Sequence, residues 1–242
     1  MRRLSAQIKG LLKVKRMFRC LPVVTLFALC LPFAVAQSAF DINLGFGSLH
    51  DSSTGGGLEN ASALVPFGTC TPGATITTGI SSVSNCQATG GLGGFFLGFG
   101  GDIMFTKHFG GGFQANIQPA QGNYGPLQSR QAFYDVKGIY APINRKRAVL
   151  QLMGGIGEAR TSFSYTQSGC IGTAVCSTST QPVGAANHFD VNFSAGVQIF
   201  LTEHIFVRPQ FDFHYVPGLT NQFGSDVVPG GSIWVGYNFG ER

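Results

Sequence analysis

Charge is scarce in this chain. Only 11% of its 242 residues are Asp, Glu, Lys or Arg, far below what a soluble domain spreads over its surface. No stretch carries the amphipathic periodicity of a helix. The apolar run at residues 21–33 is shorter than the ~20 residues that a helix needs to cross a bilayer. No His or second Cys stands at a Cys-x2-Cys spacing, so a thiolate zinc site is not expected. The glycine strings Gly45-x-Gly47, Gly98-x-Gly100-Gly101 and Gly154-Gly155-x-Gly157 neither complete a nucleotide-binding motif nor precede a helix.

What is present is export, glycine and alternation. Residues 1–36 read as a cleaved secretory signal: a basic segment, the apolar run at 21–33, and Ala34-Val35-Ala36 as a small-x-small cleavage site. Seven of the sixteen basic residues and none of the eleven acidic ones lie there. Nine against eleven remain, a net of −2, so the basic isoelectric point belongs to the leader and no nucleic-acid partner is expected. Four cysteines also remain: Cys70, Cys86, Cys170 and Cys176. An oxidising compartment makes them disulfide candidates. Three connectivities are open, and the local pairs Cys70–Cys86 and Cys170–Cys176 are favoured because each closes one connection.

Residues 189–201 show the dominant pattern. Phe189, Val191, Phe193, Ala195, Val197, Ile199 and Leu201 alternate with Asp190, Asn192, Ser194, Gly196, Gln198 and Phe200. Period-2 alternation puts each set on its own face of a strand. Similar segments occur at 40–49, 92–106, 109–119, 130–141, 147–163, 205–216 and 232–239, which makes eight strands. Long polar connections, about 50–91, 120–129, 164–188 and 217–231, alternate with tight links at 107–108, 142–146 and 202–204. An up-and-down transmembrane barrel has that asymmetry, with long external loops and short periplasmic turns.

The polar face is mostly Gly, Asn, Gln, Ser and Asp, residues suited to a narrow lumen. The apolar face is rich in aromatics, with Tyr140, Tyr215, Tyr237 and Phe239 near strand ends as interfacial girdles. The fold expected of residues 37–242 is therefore all-β: an eight-stranded antiparallel up-and-down transmembrane β-barrel. A soluble periplasmic lipocalin-like carrier is the inverted alternative, with its apolar face inside. Two positions sit awkwardly. Glu158 and Arg160 carry apolar parity, which suits them only beyond the bilayer. Pro209 falls within the seventh strand, where a bulge is the expected accommodation.

With eight strands, the signal, Tyr237-Asn238-Phe239 near the end and the segment Phe200-Leu201-Thr202-Glu203-His204-Ile205-Phe206-Val207-Arg208-Pro209, the chain resembles the small outer-membrane barrels related to OmpA and OmpX. The resemblance implies an outer-membrane location in a Gram-negative-type bacterium, contact with lipid and lipopolysaccharide, and a terminal strand read by the barrel-assembly machinery. The chain departs from the usual ending, since Gly240-Glu241-Arg242 follow Phe239. No peptidoglycan-binding domain is expected after the barrel.

Asp102, Asp135, Lys137, Asp190, Arg208, Asp212 and His214 all have lumen parity. Charges confined there need partners, so an ion-pair network around Arg208 and Lys137 is expected. Eight strands enclose a space that side chains just fill. A structural or surface-interaction role therefore ranks first, with the loops as the route to any extracellular ligand. A narrow channel for small solutes ranks second. Catalysis ranks last: neither His50 nor His188 has a partner at a spacing that guarantees contact, and no catalytic residue, cofactor or metal is expected.

Overall fold

Alternation of Phe, Ile and Leu with Gly, Asn and Asp sends successive side chains to opposite faces of an extended chain. In the computed structural model those faces become the outside and the inside of a closed wall. The structure describes residues 39–59, 68–78, 82–171 and 175–240, so the segment read as an export signal lies outside the described residues. The wall has eight strands: β1 (Ala39–Leu49), β2 (Phe95–Met104), β3 (Phe109–Ile117), β4 (Leu127–Asn144), β5 (Ala148–Ile171), β6 (Val175–Phe200), β7 (Ile205–Tyr215) and β8 (Val227–Asn238). Each pairs antiparallel with its chain neighbours, and β8 pairs with β1, which leaves the wall no open edge.

Closure fixes the dimensions. Register partners run from Ala39 to Met104, Gly110, Ile139, Met153, Ser194, Asp212 and Gly230, and return to β1 at Leu49. The circuit comes back ten residues along the strand on which it began, 49 − 39 = 10. At about 3.3 Å per residue and about 4.8 Å between strands, that stagger tilts the strands by roughly 40° and gives a backbone radius of about 8 Å.

The orientation is that of a membrane barrel. Leu44, Phe46, Leu97, Phe99, Val136, Ile156, Phe193, Phe211 and Val235 all face outward and exposed. The polar set is buried inside, as Asp41, Asn43, Gln114, Gln151, Gln198 and Asn238 show. A soluble carrier would have the reverse arrangement, so the lipocalin-like alternative is excluded. Tyr140, Tyr215, Tyr237 and Phe239 point outward; at the tight-turn end Phe109 packs on Tyr140, and Phe239 on both Tyr237 and Phe40. From Ile143 to Tyr134 on β4 is nine residues, about 23 Å along the barrel axis at that tilt, close to the ~25 Å of an outer-membrane apolar band. Glu158 pairs with Tyr134 and Arg160 with Ala132. The two charged side chains therefore stand at the rim of the band and beyond it.

Two of the tight links repeat one device. In Phe105-Thr106-Lys107-His108-Phe109 the Thr106 hydroxyl oxygen accepts from the amides of His108 and Phe109. In Leu201-Thr202-Glu203-His204-Ile205 Thr202 does the same for His204 and Ile205. Each histidine then places Nδ1 against a carbonyl of a neighbouring strand: His108 on Ala141 at 2.7 Å, His204 on Asn238 at 3.1 Å.

Two expectations need correction. The connection read as a loop at 164–188 instead continues the β5–β6 ladder as a hairpin, with Cys170 opposite Cys176 in register. The side chains of those two cysteines lie outside the described residues. Pro209 sits in no bulge. Gly196 pairs with Gln210 and Ile199 with Val207 in one unbroken register, so no residue is inserted. The β6–β7 ladder simply lacks pairs between those points, where proline has no N–H to give.

The loop end is built rather than loose. Gly57–Glu59, Thr69–Cys70, Thr75–Thr78 and Ser82–Ala88 form a small four-stranded sheet in the first connection, joined by a Cys70–Cys86 disulfide. The last connection folds back over the mouth through a 3-10 turn at Leu219–Asn221. Its entry needs Gly218, whose φ of 83° is left-handed. The two connections are tied by the Gly224 amide donating to the Ser52 carbonyl at 2.7 Å.

Candidate functional site

The seven charged residues expected in the lumen all lie there, each at most 3% exposed. They come from β2, β4, β6 and β7, which the barrel brings face to face. Two centres form. In the first, Arg208 Nη1 donates to Asp102 Oδ2 at 2.6 Å and to Gln151 Oε1 at 2.9 Å. Lys137 Nζ stands 4.0 Å from the other oxygen of Asp102 and donates to Gln114 Oε1 at 2.6 Å. The Arg208 guanidinium also lies over the Trp234 ring, 5.7 Å from its centroid. Arg208 and Lys137 thus share one aspartate.

In the second centre His214 Nδ1 meets Asp190 Oδ2 at 2.6 Å. Asp135 completes it: a ligand atom from each of Asp135, Asp190 and His214 lies within 4.8 Å of the others. Space for Asp135 comes from its β5 register partner Gly157, where a Cβ would stand 2.5 Å from Asp135 Oδ1. Phe133 packs on the imidazole, with ring centroids 4.6 Å apart. Asp212 belongs to neither centre. It accepts from Ser194 and Ser232 at 2.8 Å and from Gln210 at 2.6 Å.

Amides link these groups. Gln151 donates to Gln198, and Gln198 and Asn238 both donate to Asp41. Gln210 and Lys137 meet on the same Gln114 oxygen, and Asn43 donates to Asp102. Asp41, Asn43, Gln114, Gln151, Gln198 and Gln210 were not singled out from sequence. Their signal was the lumen parity that selected the charges: attention to charge passed over the five amides, and Asp41, a charge of the same parity, was missed with them.

Trp234 fills much of the remaining width. Its indole lies flat over Gly45 of β1 and Gly98 of β2, leaving no space for a Cβ at either. Its N–H donates to Ser232 at 2.9 Å. Phe206 covers Gly236 in the same way. Glycines paired with aromatics therefore let a narrow barrel hold large rings.

Apolar clusters close the polar core at both ends. At the loop end Leu49, Leu92, Phe96, Tyr124, Phe133, Leu219 and Phe223 pack together with Val216 and Val228. At the turn end Ala141, Val149, Phe200 and Phe206 do so. A lumen cavity beside Phe96 and Asp212 has a volume of about 10 Å³, room for one water and no larger solute.

Among the described residues the lumen shows no serine paired with a histidine. Ser194 Oγ lies 2.8 Å from Asn192 Oδ1 and Asp212 Oδ1 rather than against His214. His50 is exposed on the loop side and His188 stands beside Gly218.

No family model matches the chain, and no curated protein matches it in sequence. Among solved structures the barrel is similar to Ail, the attachment invasion locus protein of Yersinia pestis, with TM-score 0.45 and 11% identity over 84% of this chain and 99% of that one. It is similar to Neisserial surface protein A at TM-score 0.45 and 12% identity, covering 83% and 97% of the two chains. For the outer membrane protein OprG from Pseudomonas aeruginosa the values are 0.43 and 14%, over 84% and 96%. At such values the likenesses carry no weight of their own. On its closed ladder and outward apolar belt, the chain is a small transmembrane β-barrel of the outer-membrane type.

Proposed function

We propose that this protein is a non-conducting outer-membrane scaffold, exported by the signal at residues 1–36, that presents its loop end at the cell surface. The observation that carries the reading is the filled lumen: a hydrogen-bonded polar layer between two apolar clusters. A barrel plugged in this way contributes its wall and its exposed end rather than a path through it.

The exposed end fits presentation. The β5–β6 hairpin runs thirteen residues past Glu158, from 158 to 171, or about 40 Å along the strand. Its far part holds exposed Ser177, Thr178, Ser179, Thr180 and Gln181. A bond between the Thr166 and Thr180 hydroxyls at 3.0 Å crosses the ladder there. The disulfide in the first connection restricts that loop as well.

Removal of residues 165–181, with a two-residue turn in their place, tests the reading. The barrel should still reach the outer membrane and keep its heat-dependent gel shift, while attachment of cells to other surfaces falls. Unchanged attachment together with a leaky envelope would instead favour a purely structural role. Solute uptake that depends on the intact protein would favour the channel.

A further inference from the structure

We infer that Asp135, Asp190 and His214 form a binding site for a divalent cation of the zinc type, enclosed within the barrel. Two independent observations point to a ligand. The first is the state of Asp135. The residue is 3% exposed, and neither carboxylate oxygen accepts a hydrogen bond. Asp190 Oδ1 is buried without a donor as well. Among the other acids of the lumen Asp102 Oδ1 also lacks a donor but stands 4.0 Å from Lys137 Nζ, while Asp102 Oδ2 accepts from Arg208 and Asn43, and Asp212 accepts from Ser194, Gln210 and Ser232. Three buried oxygens without donors are therefore concentrated beside a single imidazole.

The second observation is the charge of the enclosed layer. Among the described residues four buried aspartates, Asp102, Asp135, Asp190 and Asp212, face Lys137, Arg208 and His214 across the lumen. Even with His214 protonated, four acidic groups face three basic ones. Lys137 and Arg208 are both drawn to Asp102 and His214 to Asp190, while Asp212 is held by hydroxyl and amide donors, which leaves Asp135 with neither an ion pair nor a donor among the described residues. Negative charge held away from water is costly until a counter-charge joins it, and a bound cation supplies one directly.

The donor set defines the chemistry. One imidazole nitrogen and two carboxylates suit a borderline cation such as Zn²⁺ and complete a tetrahedron with one further ligand. Ligand atoms on a tetrahedral zinc with bonds of 2.0–2.1 Å stand about 3.3 Å apart. The 2.6 Å contact between His214 Nδ1 and Asp190 Oδ2 would open by several tenths of an ångström as the ion replaces the proton between them. The charge argument rests in part on the sealed lumen, but metal content and conductance are separate readouts, so each reading fails on its own.

The test uses the full protein purified folded in detergent, unfolded in urea with EDTA, and refolded with or without ZnCl₂. Bound zinc is counted by mass spectrometry after gel filtration, and folding is judged by the heat-dependent gel shift. Wild-type protein should retain one zinc per barrel and melt at a higher temperature with zinc than with EDTA. Asp135→Asn and His214→Gln should fold and retain none. Zinc-free wild type with unchanged melting would overturn the inference and leave a proton shared by the carboxyls as the counter-charge. Equal zinc in either variant would overturn it too, since the surface histidines would then be the ligands. If neither variant folds, the wild-type comparison decides alone.

Discussion

Asp102 is the residue on which the lumen network turns, because Arg208, Lys137 and Asn43 all converge on its carboxylate. Its removal would leave two buried cations without their shared anion. Loss of one partner from a buried pair costs about 3–5 kcal/mol, so Asp102→Ala should lower unfolding stability by that amount in urea titrations of barrels in vesicles. Pairing the change with Arg208→Met should cost less than the two single changes added together; strict additivity would show that the contact is energetically idle. Gly98 is the apolar counterpart. Trp234 leaves no space for a Cβ there, and overpacking typically costs about 1–3 kcal/mol. Gly98→Val should lower the urea midpoint and shift the emission of the single tryptophan to the red. An unchanged spectrum would mean that the indole does not rest on that glycine.

Elements were legible in proportion to the strength of their two-face contrast. Strands such as β1 and β7 write Phe or Ile against Asp, Asn or Gln, and their ends and facing could be read directly. The outer part of β5–β6 is rich in Ser, Thr, Gln and Gly, with Tyr165, Ile171, Val175 and Val183 widely spaced among them, so no two-face contrast marks it, although the backbone ladder continues. Lumen parity identified Asp102, Asp135, Lys137, Asp190, Arg208, Asp212 and His214. It could not show that His214 meets Asp190 while Lys137 meets Asp102, because that depends on stagger between strands. The mouth was illegible for another reason: Tyr124, Leu219 and Phe223 are isolated apolar residues in polar connections, with no period to expose them. The fold-back holding Leu219 has its own test. The Thr220 amide donates to Asp226 at 2.9 Å, and such donors hold that carboxyl below its ordinary value of 3.8. A lowered folded value stabilises the turn above the unfolded value and is lost as pH falls through the folded one. Hydrogen exchange corrected for intrinsic rate should show residues 217–226 less protected at about pH 3 than at about pH 5. Equal protection would deny Asp226 that role.

At the scale of the whole molecule, stagger, girth and filling are one solution. Eight strands with a shift of ten make a wall about 8 Å in radius, and that wall is narrow enough for Trp234, Phe206 and a layer of amides and charges to occupy it. Lipid faces one side and hydrogen bonds occupy the other, which is why low charge density and abundant glycine occur together in this sequence. A closed lumen follows from that filling, and ionic current through the purified barrel in a planar lipid bilayer measures whether it is closed. The expected record is a flat baseline without discrete steps, under conditions where a known porin conducts. Stable, uniform openings that scale with salt concentration would show a continuous aqueous path, and would contradict the seal formed by Phe96 and Phe223 at one end and Phe200 and Phe206 at the other.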